Sequence, residues 1–179
     1  MEEKQMEYDK ETAEIFNDPY RYAVDLHIKN IRSDANTVEI KKEYILGLET
    51  ILVKQDISTA ISIFARIGEC VDLIDVQEVE EDVCGMLGFI SQNVEPVARE
   101  MVRCRVVEKA IALYKRKPEA VDAIILLFTI LNNTLNGLQE AVKAEGQDPS
   151  IIKEINTESE HISSKSKSRL AVILGSTAY

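Results

Sequence analysis

Few residues in this sequence are of the types that do chemistry, and none stands in a recognisable catalytic arrangement. There are two histidines, His27 and His161, and neither has a serine or cysteine nucleophile motif near it in the sequence. His27 is flanked by Leu26 and Ile28, which favours a packed imidazole, whereas His161 lies in a polar segment. We therefore predict that the chain is not an enzyme.

The cysteines are odd in number, and their spacing matches no metal or redox motif. They are Cys70, Cys84 and Cys104, so a disulfide framework is not expected and a reducing compartment is favoured. Cys84 lies on the apolar side of a predicted helix, where a thiol behaves as a small hydrophobic side chain. Cys104 lies between Arg103 and Arg105, which could lower the pKa of its thiol, although a structural thiol is the favoured interpretation.

An acidic run comes closest to a metal site. Glu78, Glu80, Glu81 and Asp82 lack the alternating oxygens and glycine of a calcium loop, and they are better placed to stabilise the positive N-terminus of a following helix. The glycine pattern at 85–88 is not GxGxxG and follows no predicted strand, so a nucleotide loop is not supported. We predict no metal and no cofactor.

Charge and composition limit the classes of partner that this chain is expected to bind. The 179 residues include 21 Lys and Arg against 31 Asp and Glu, a formal net charge of −10. Nucleic acids and anionic membranes need a basic face, so neither is expected as a partner. The basic cluster Lys165, Lys167 and Arg169 alternates with serines and is typical of a solvated helix face. No set of converging polar groups predicts a small-molecule substrate. Because the N-terminus has no apolar signal segment, we expect a cytoplasmic protein.

The elements that would position any site are predicted to be helices. Glycine and proline are scarce, at seven and four residues, which disfavours a turn-rich β fold. An Asp-Pro pair at 18–19 is typical of a helix start. Apolar residues spaced three and four apart predict helices at about 38–54, 78–93 and 119–133. A buried strand is the alternative for the β-branched run at 124–125, but the length of that segment without turn residues favours a helix.

These three helices are related by translation along the sequence. Leu48, Leu87 and Leu127 superpose at steps of 39 and 40 residues, and a second set of isoleucines does the same. A period of about 40 residues with two or three helices in each unit indicates an armadillo-like or HEAT-like right-handed solenoid. Leu170 and Ile173 predict a partial fourth unit.

The expected fold is therefore all-α, with about three repeats and a partial C-terminal cap. An acidic tail is predicted at 1–14 and an armadillo-like repeat domain at 15–146. A partial fourth repeat or capping helix is predicted at 147–179, since terminal repeats of a solenoid need a polar outer side.

In such a solenoid, the free sides of stacked helices line a concave binding surface. By helical phase, the positions expected to contact a partner are Glu43, Thr50, Lys54, Asp82, Phe89, Gln92, Asn93, Thr129, Asn132 and Asn133. The same free sides are predicted to include Gly47, Gly85, Asp122 and Ile125. Phe89 is either a packing residue or a binding anchor, since aromatic side chains are enriched at interaction hot spots.

Several segments between Asp18 and Gly146 match one family in both motif and order. The strongest is Leu87-Gly88-Phe89-Ile90-Ser91-Gln92-Asn93-Val94, which looks like an "IGT..QN" segment. The others are Asp18-Pro19, the helix Lys41–Leu52, Asp56 with Ala60, Met101–Leu113 and Leu127–Gly146. Together they resemble the armadillo-type nucleotide-exchange factors of the seventy-kilodalton heat-shock chaperone.

The resemblance implies a partner function without bond chemistry. Members of that family wrap the outer lobe of the chaperone's ATPase domain with their concave face, open its cleft and speed the release of ADP. It therefore implies a co-chaperone whose partner is that ATPase domain. The alternative is a generic armadillo-like scaffold that binds a peptide or protein through its concave face.

Overall fold

The computed structural model describes residues 18–53 and 64–175, and all regular structure in these ranges is helical. The all-α prediction is confirmed, and residues 124–125 are helical rather than extended. The α-helices are α1 Pro19–Arg32, α2 Val38–Val53, α3 Ile67–Asp72, α4 Glu80–Ser91, α5 Glu95–Arg103, α6 Val106–Arg116, α7 Val121–Leu135, α8 Leu138–Ala144 and α9 Ser164–Ile173. Short 3-10 helices occur at Leu73–Asp75, Pro118–Ala120 and Pro149–Glu154. The predicted acidic tail at 1–14 lies outside the described residues.

Local sequence explains where the first and last of these helices begin. The side chain of Asp18 accepts a hydrogen bond from the Arg21 N–H at 2.9 Å, and Pro19 occupies the first turn. A proline fits there because the first N–H groups of a helix have no carbonyl partner within the helix. Ser163 plays the same part before α9, where its Oγ accepts from the Ser166 N–H at 3.2 Å.

Three of the long helices lie side by side in chain order, because α2 contacts α4 and α4 contacts α7. Near the N-terminal ends of α2 and α4, Lys42 Nζ is 3.3 Å from Asp82 Oδ2. Just beyond the C-terminal end of α4, the Asn93 N–H donates to Thr134 Oγ1 at 3.3 Å, near the end of α7. Since like ends meet like ends, these helices run parallel to one another.

Helix α9 continues this row, because it packs on α7. The Ser163 N–H, just before α9, donates to Asp122 Oδ1 at 3.1 Å, near the start of α7. Leu170 and Ile173, the residues that predict a partial fourth unit, are both buried. The row α2–α4–α7–α9 is therefore parallel throughout.

Helices α3, α5, α6 and α8 form a second layer behind this row, whereas α1 packs on α2. Helix α3 contacts α5, α5 contacts α8, and both α5 and α8 contact α7. Helix α6 contacts the 3-10 helices at 73–75 and 149–154. Arg116 Nη2 donates to the Ile74 carbonyl at 2.7 Å, and Lys109 Nζ is 2.6 Å from Asp75 Oδ2. These polar contacts fix α6 of the second layer against the 3-10 helix at 73–75.

Helix α7 is the centre of the core. Ile124, Leu127 and Phe128 are fully buried, and α7 contacts α4, α5, α8 and α9. Within the described ranges, Pro118–Leu135 is the one helical segment long and apolar enough to cross a membrane, at 18 residues and a mean hydropathy of 1.2. A buried core helix passes the same test, and the contacts of α7 account for its composition.

Two glycines of α4 have opposite surroundings. A Cβ added to Gly88 would lie 2.8 Å from Ile130 Cδ1 of α7, whereas a Cβ added to Gly85 would meet nothing within 4 Å. Gly88 therefore allows α4 and α7 to approach closely. Gly85 has no such packing reason and weakens the helix through its backbone entropy.

We expect these two glycines to respond oppositely to a side chain. Gly85→Ala should raise the free energy of unfolding by about 0.5–1 kcal/mol, the usual gain for alanine over glycine within a helix. Gly88→Val should lower it by about 1–3 kcal/mol, because the added atoms overpack the α4–α7 contact. Urea denaturation of the two variants beside the unsubstituted chain measures both changes. Equal effects at the two positions would contradict the packing described for Gly88.

Candidate partner-binding face

The exposed sides of the row helices point in one direction. On α4, Gly88 faces α7, and the opposite flank of the helix meets α2. On α7, the flank bearing Ile130 meets α4, and α9 packs on the other flank. Each exposed stripe thus lies between a preceding and a following neighbour, so the stripes join into one surface. We call it the stacked face; its exposed residues are Glu39, Glu43, Leu46, Thr50, Val53, Glu81, Gly85, Phe89, Gln92, Asn93, Asp122, Leu126, Asn133, Ser164, Ser168 and Val172.

The structure brings most of the predicted binding residues to this face. Those that are exposed are Glu43, Thr50, Phe89, Gln92, Asn93 and Asn133. Those that are half-buried at its margins are Asp82, Thr129 and Asn132. Lys54 lies outside the described residues. Phe89 is 48% exposed, so it is not a core residue.

The prediction that Ile125 lies on the free side of α7 is wrong. Ile125 is fully buried, and its neighbour Leu126 is the exposed residue, at 39%. The reason is that α7 is covered by α5 and α8 as well as by α4 and α9, so its buried side is wider than that of an ordinary surface helix. The exposed stripe of α7 is therefore turned by one residue relative to the prediction.

Gly47 is not free either, because His27 of α1 lies over it. A Cβ at Gly47 would come within 2.5 Å of His27 Nε2. The imidazole is held on its other side, with Nδ1 2.7 Å from the Ala23 carbonyl oxygen and the ring edge-to-face with Tyr44 at 5.4 Å. Gly47 thus provides the space that joins α1 to α2, and His27 is a packing residue as expected.

Four exposed apolar residues of the stacked face are missing from the sequence prediction. Leu46 is 63% exposed and Val53 is 49% exposed on α2, while Leu126 on α7 is 39% and Val172 on α9 is 69% exposed. A signal for two of them was present, since Leu46 and Val53 are seven residues apart and opposite the buried stripe of α2. Exposed apolar residues out of phase with the buried stripe are thus as informative about the free side as polar ones.

Acidic side chains occupy the edge of the stacked face where the helices begin. Glu39 and Glu43 lie on the first turns of α2, Glu81 and Asp82 on the first turn of α4, and Asp122 on the first turn of α7. Hydrogen bonds from its own backbone N–H and from Thr37 hold the pKa of Glu39 below its usual value. Hydrogen bonds from Ser166 and Ser163 outweigh burial and lower the pKa of Asp122. Glu39 and Asp122 are therefore charged at neutral pH.

The acidic edge has cationic neighbours but no metal-binding geometry. Lys42 lies 3.3 Å from Asp82, and Lys117 lies 3.3 Å from Glu81. Within residues 18–53 and 64–175, no group of three or more His, Cys, Asp or Glu side chains is placed to hold a metal ion. The edge is thus a surface with net negative charge.

Amides occupy the opposite edge, where the helices end. Asn132, Asn133, Asn136 and Gln139 line an open groove of about 600 Å³ between α7 and α9, with Val172 on its other wall. One of these amides makes a hydrogen bond within the chain: Asn132 Oδ1 accepts from the Leu138 N–H at 2.9 Å and so caps α8. The exposed amides of Asn133 and Asn136 remain at the surface.

All three cysteines lie within the described residues, and none of their thiols is activated by a lowered pKa. Burial raises the pKa of Cys70 and of Cys84 to about 12. Burial and the carboxylate of Glu100 raise the pKa of Cys104 as well. Arg103 acts in the opposite direction but is outweighed, so the suggestion that the pKa of Cys104 is lowered is wrong. These cysteines are structural.

We expect the native chain to react slowly with a thiol reagent. With Ellman's reagent at pH 8, Cys104 should react more slowly than free cysteine, and the buried Cys70 and Cys84 should react only after unfolding. A time course in buffer, followed by guanidinium, counts the thiols at each stage. Cys104→Ser should abolish the native-state reaction. A native reaction that persists in this variant would contradict the burial of the other two thiols.

Comparison with protein-family models, with curated protein sequences and with solved structures finds no match to this chain.

Proposed function

We propose that this chain is an armadillo-type nucleotide-exchange factor of the seventy-kilodalton heat-shock chaperone. In this proposal it is a cytoplasmic co-chaperone, built as a right-handed solenoid of about three repeats plus a cap. The parallel row α2–α4–α7–α9 supports the solenoid, because its cross-helix contacts join residues 40 or 41 apart, as in Lys42 with Asp82 and Asn93 with Thr134. These steps agree with the period of the sequence.

One observation carries the proposal: the segment that most resembles the family reaches the stacked face. Ser91 is buried, with its Oγ donating to the Gly88 carbonyl at 3.0 Å and its own carbonyl accepting from Thr134 Oγ1 at 3.3 Å. This anchoring positions Gln92 and Asn93, both exposed, at the end of α4. Phe89 lies one turn before them on the same side.

The mechanism needs no bond-making step by this chain. A partner that binds the open ATPase lobe more tightly than the closed lobe shifts the population to the open state and so weakens nucleotide binding. By linkage, nucleotide binding must weaken the association with this chain in turn. A net charge of −10 would speed association with a basic surface of the chaperone.

The direct test is ADP release from the chaperone's ATPase domain. In stopped-flow with a fluorescent ADP, micromolar amounts of the full chain should accelerate release, and added ATP should dissociate the complex. Albumin at the same concentration serves as a control for non-specific effects. An unchanged release rate would exclude the exchange activity.

Phe89→Ala should separate binding from folding. We expect it to weaken association with the ATPase domain by about 1–3 kcal/mol, as for an aromatic hot spot, with almost no change in melting temperature because the ring is half-exposed. Leu26→Ala is a matched control, because Leu26 is a 39% exposed apolar residue of α1, outside the stacked face. Binding is measured by titration calorimetry. Equal losses for the two variants would contradict a role for Phe89 as an anchor.

The amide groove supports a second candidate, a scaffold that binds an extended peptide. Asn133 and Asn136 can each donate and accept hydrogen bonds, which suits a peptide backbone. A pull-down from lysate distinguishes the candidates. Enrichment of the chaperone, lost on adding ATP, favours exchange, whereas another dominant partner, lost in Asn133→Ala, favours the scaffold.

A further inference from the structure

The stacked face has three bands, and their order follows from the parallel helices. The N-terminal edge carries acids, among them Glu39, Glu43 and Glu81, and the C-terminal edge carries amides. Between the edges lies an apolar band consisting of Leu46, Phe89, Leu126 and Val172, one exposed side chain from each helix of the row. The apolar band runs across the whole row, whereas the acids lie on α2, α4 and α7 and the amides on α4 and α7; the first turn of α9 carries Lys165 and Lys167 in place of acids.

The apolar side chains lie at nearly the same height. Residue i of one row helix lies beside residue i+40 or i+41 of the next, as in the contacts of Lys42 with Asp82 and Asp122 with Ser163. With this register, the four residues of the apolar band differ by only about one and a half turns along the helix axes, or roughly 8 Å. Along the row their heights alternate within this range, so they form a staggered apolar band.

The spacing of this band suits an α-helix laid across the row. Packed helices are about 8–10 Å apart, so successive residues of the apolar band are separated by that distance across the row. In a docked helix, residues i and i+7 lie on one side and about 10.5 Å apart. The four residues of the apolar band therefore span about 24–30 Å, which is the length of a helix of roughly 16–20 residues.

The charges beside the apolar band determine which kind of helix can bind there. Glu39 and Glu43 lie beside the apolar band and form no ion pair with any residue in the described ranges, whereas the paired carboxylates Glu81 and Asp82 each have one lysine neighbour. A helix lying on the apolar band would place one flank along this acidic edge. That flank would be stabilised by lysine and arginine and destabilised by acids. Self-association of the face is opposed by the net charge of −10 on each copy.

We propose that the apolar band binds a basic amphipathic helix of the partner, with its apolar stripe on Leu46, Phe89, Leu126 and Val172 and its basic flank on the acidic edge. The inference rests on the proposed function in taking the stacked face as the surface that binds the chaperone. It adds the chemistry of the surface that the chaperone must present, namely a helix with lysine or arginine beside an apolar stripe.

The test uses designed peptides as probes. A fluorescent 20-residue helical peptide with leucines at i, i+7 and i+14 and with lysine and arginine along one flank is titrated with the full chain, and anisotropy is followed. A second peptide keeps the leucines and has glutamate at every basic position. We expect saturable binding of the basic peptide, weakening with salt, and at least tenfold weaker binding of the acidic peptide. Equal binding of the two peptides, or no binding, would overturn the inference.

Variants of the chain test whether the peptide binds at the stacked face. Leu46→Ser should weaken binding about fivefold or more, and Glu43→Lys about threefold at low salt. The matched controls are Leu26→Ser on α1 and Glu154→Lys, whose side chain is 41% exposed in the 3-10 helix Pro149–Glu154, which packs on α6 and α8 outside the row. Circular dichroism checks that each variant is folded. If the controls weaken binding as much as the face variants, the assigned site is wrong.

The peptide assay and the ADP-release assay can fail separately. If the chain accelerates ADP release but does not discriminate between the peptides, the exchange function stands and the basic-helix partner is rejected. If it binds the basic peptide at the face but leaves ADP release unchanged, the surface assignment stands and the chaperone is not its target.

Discussion

The close packing of α4 between α2 and α7 is the contact on which the rest of this structure depends. Gly88 allows α4 to approach α7, where a side chain would meet Ile130 at 2.8 Å. The Thr134 hydroxyl then bonds both to the Asn93 N–H and to the Ser91 carbonyl, so the ends of the two helices stay level. A row fixed in this way has one buried side and one exposed side, and the exposed side is available to a partner.

Parallel packing also explains the chemistry of the exposed side. The N-terminus of a helix is electropositive and favours acidic residues, so each helix that begins with acids gains stability for itself. Because the row helices run in the same direction, the acidic first turns of α2, α4 and α7 collect at one edge, as with Glu39, Glu81 and Asp122, whereas α9 begins with serines and lysines. The same cause stabilises the helices and gives the stacked face its electrostatic polarity. In the proposed function, folding and partner binding would share these residues.

Sequence patterns were sufficient to locate the row helices but not to predict which side of each helix is exposed. Periodicity located α2, α4 and α7 to within two residues at each end, because the apolar spacing of a helix is local. Which side of α7 is exposed depends on how many neighbours cover it, and this led to Ile125 being predicted in place of Leu126. The covering of Gly47 by His27 is a tertiary contact that no local pattern contains.

The central claim is that a partner covers the stacked face and leaves the rest of the surface open. Hydroxyl-radical footprinting of the full chain, alone and with the chaperone's ATPase domain, tests it most directly by measuring side-chain oxidation residue by residue. The account predicts protection of Leu46, Phe89 and Val172, with Tyr20 and Leu26 of α1 oxidised at the same rate in both samples. Protection of α1 together with unchanged oxidation of the stacked face would contradict it.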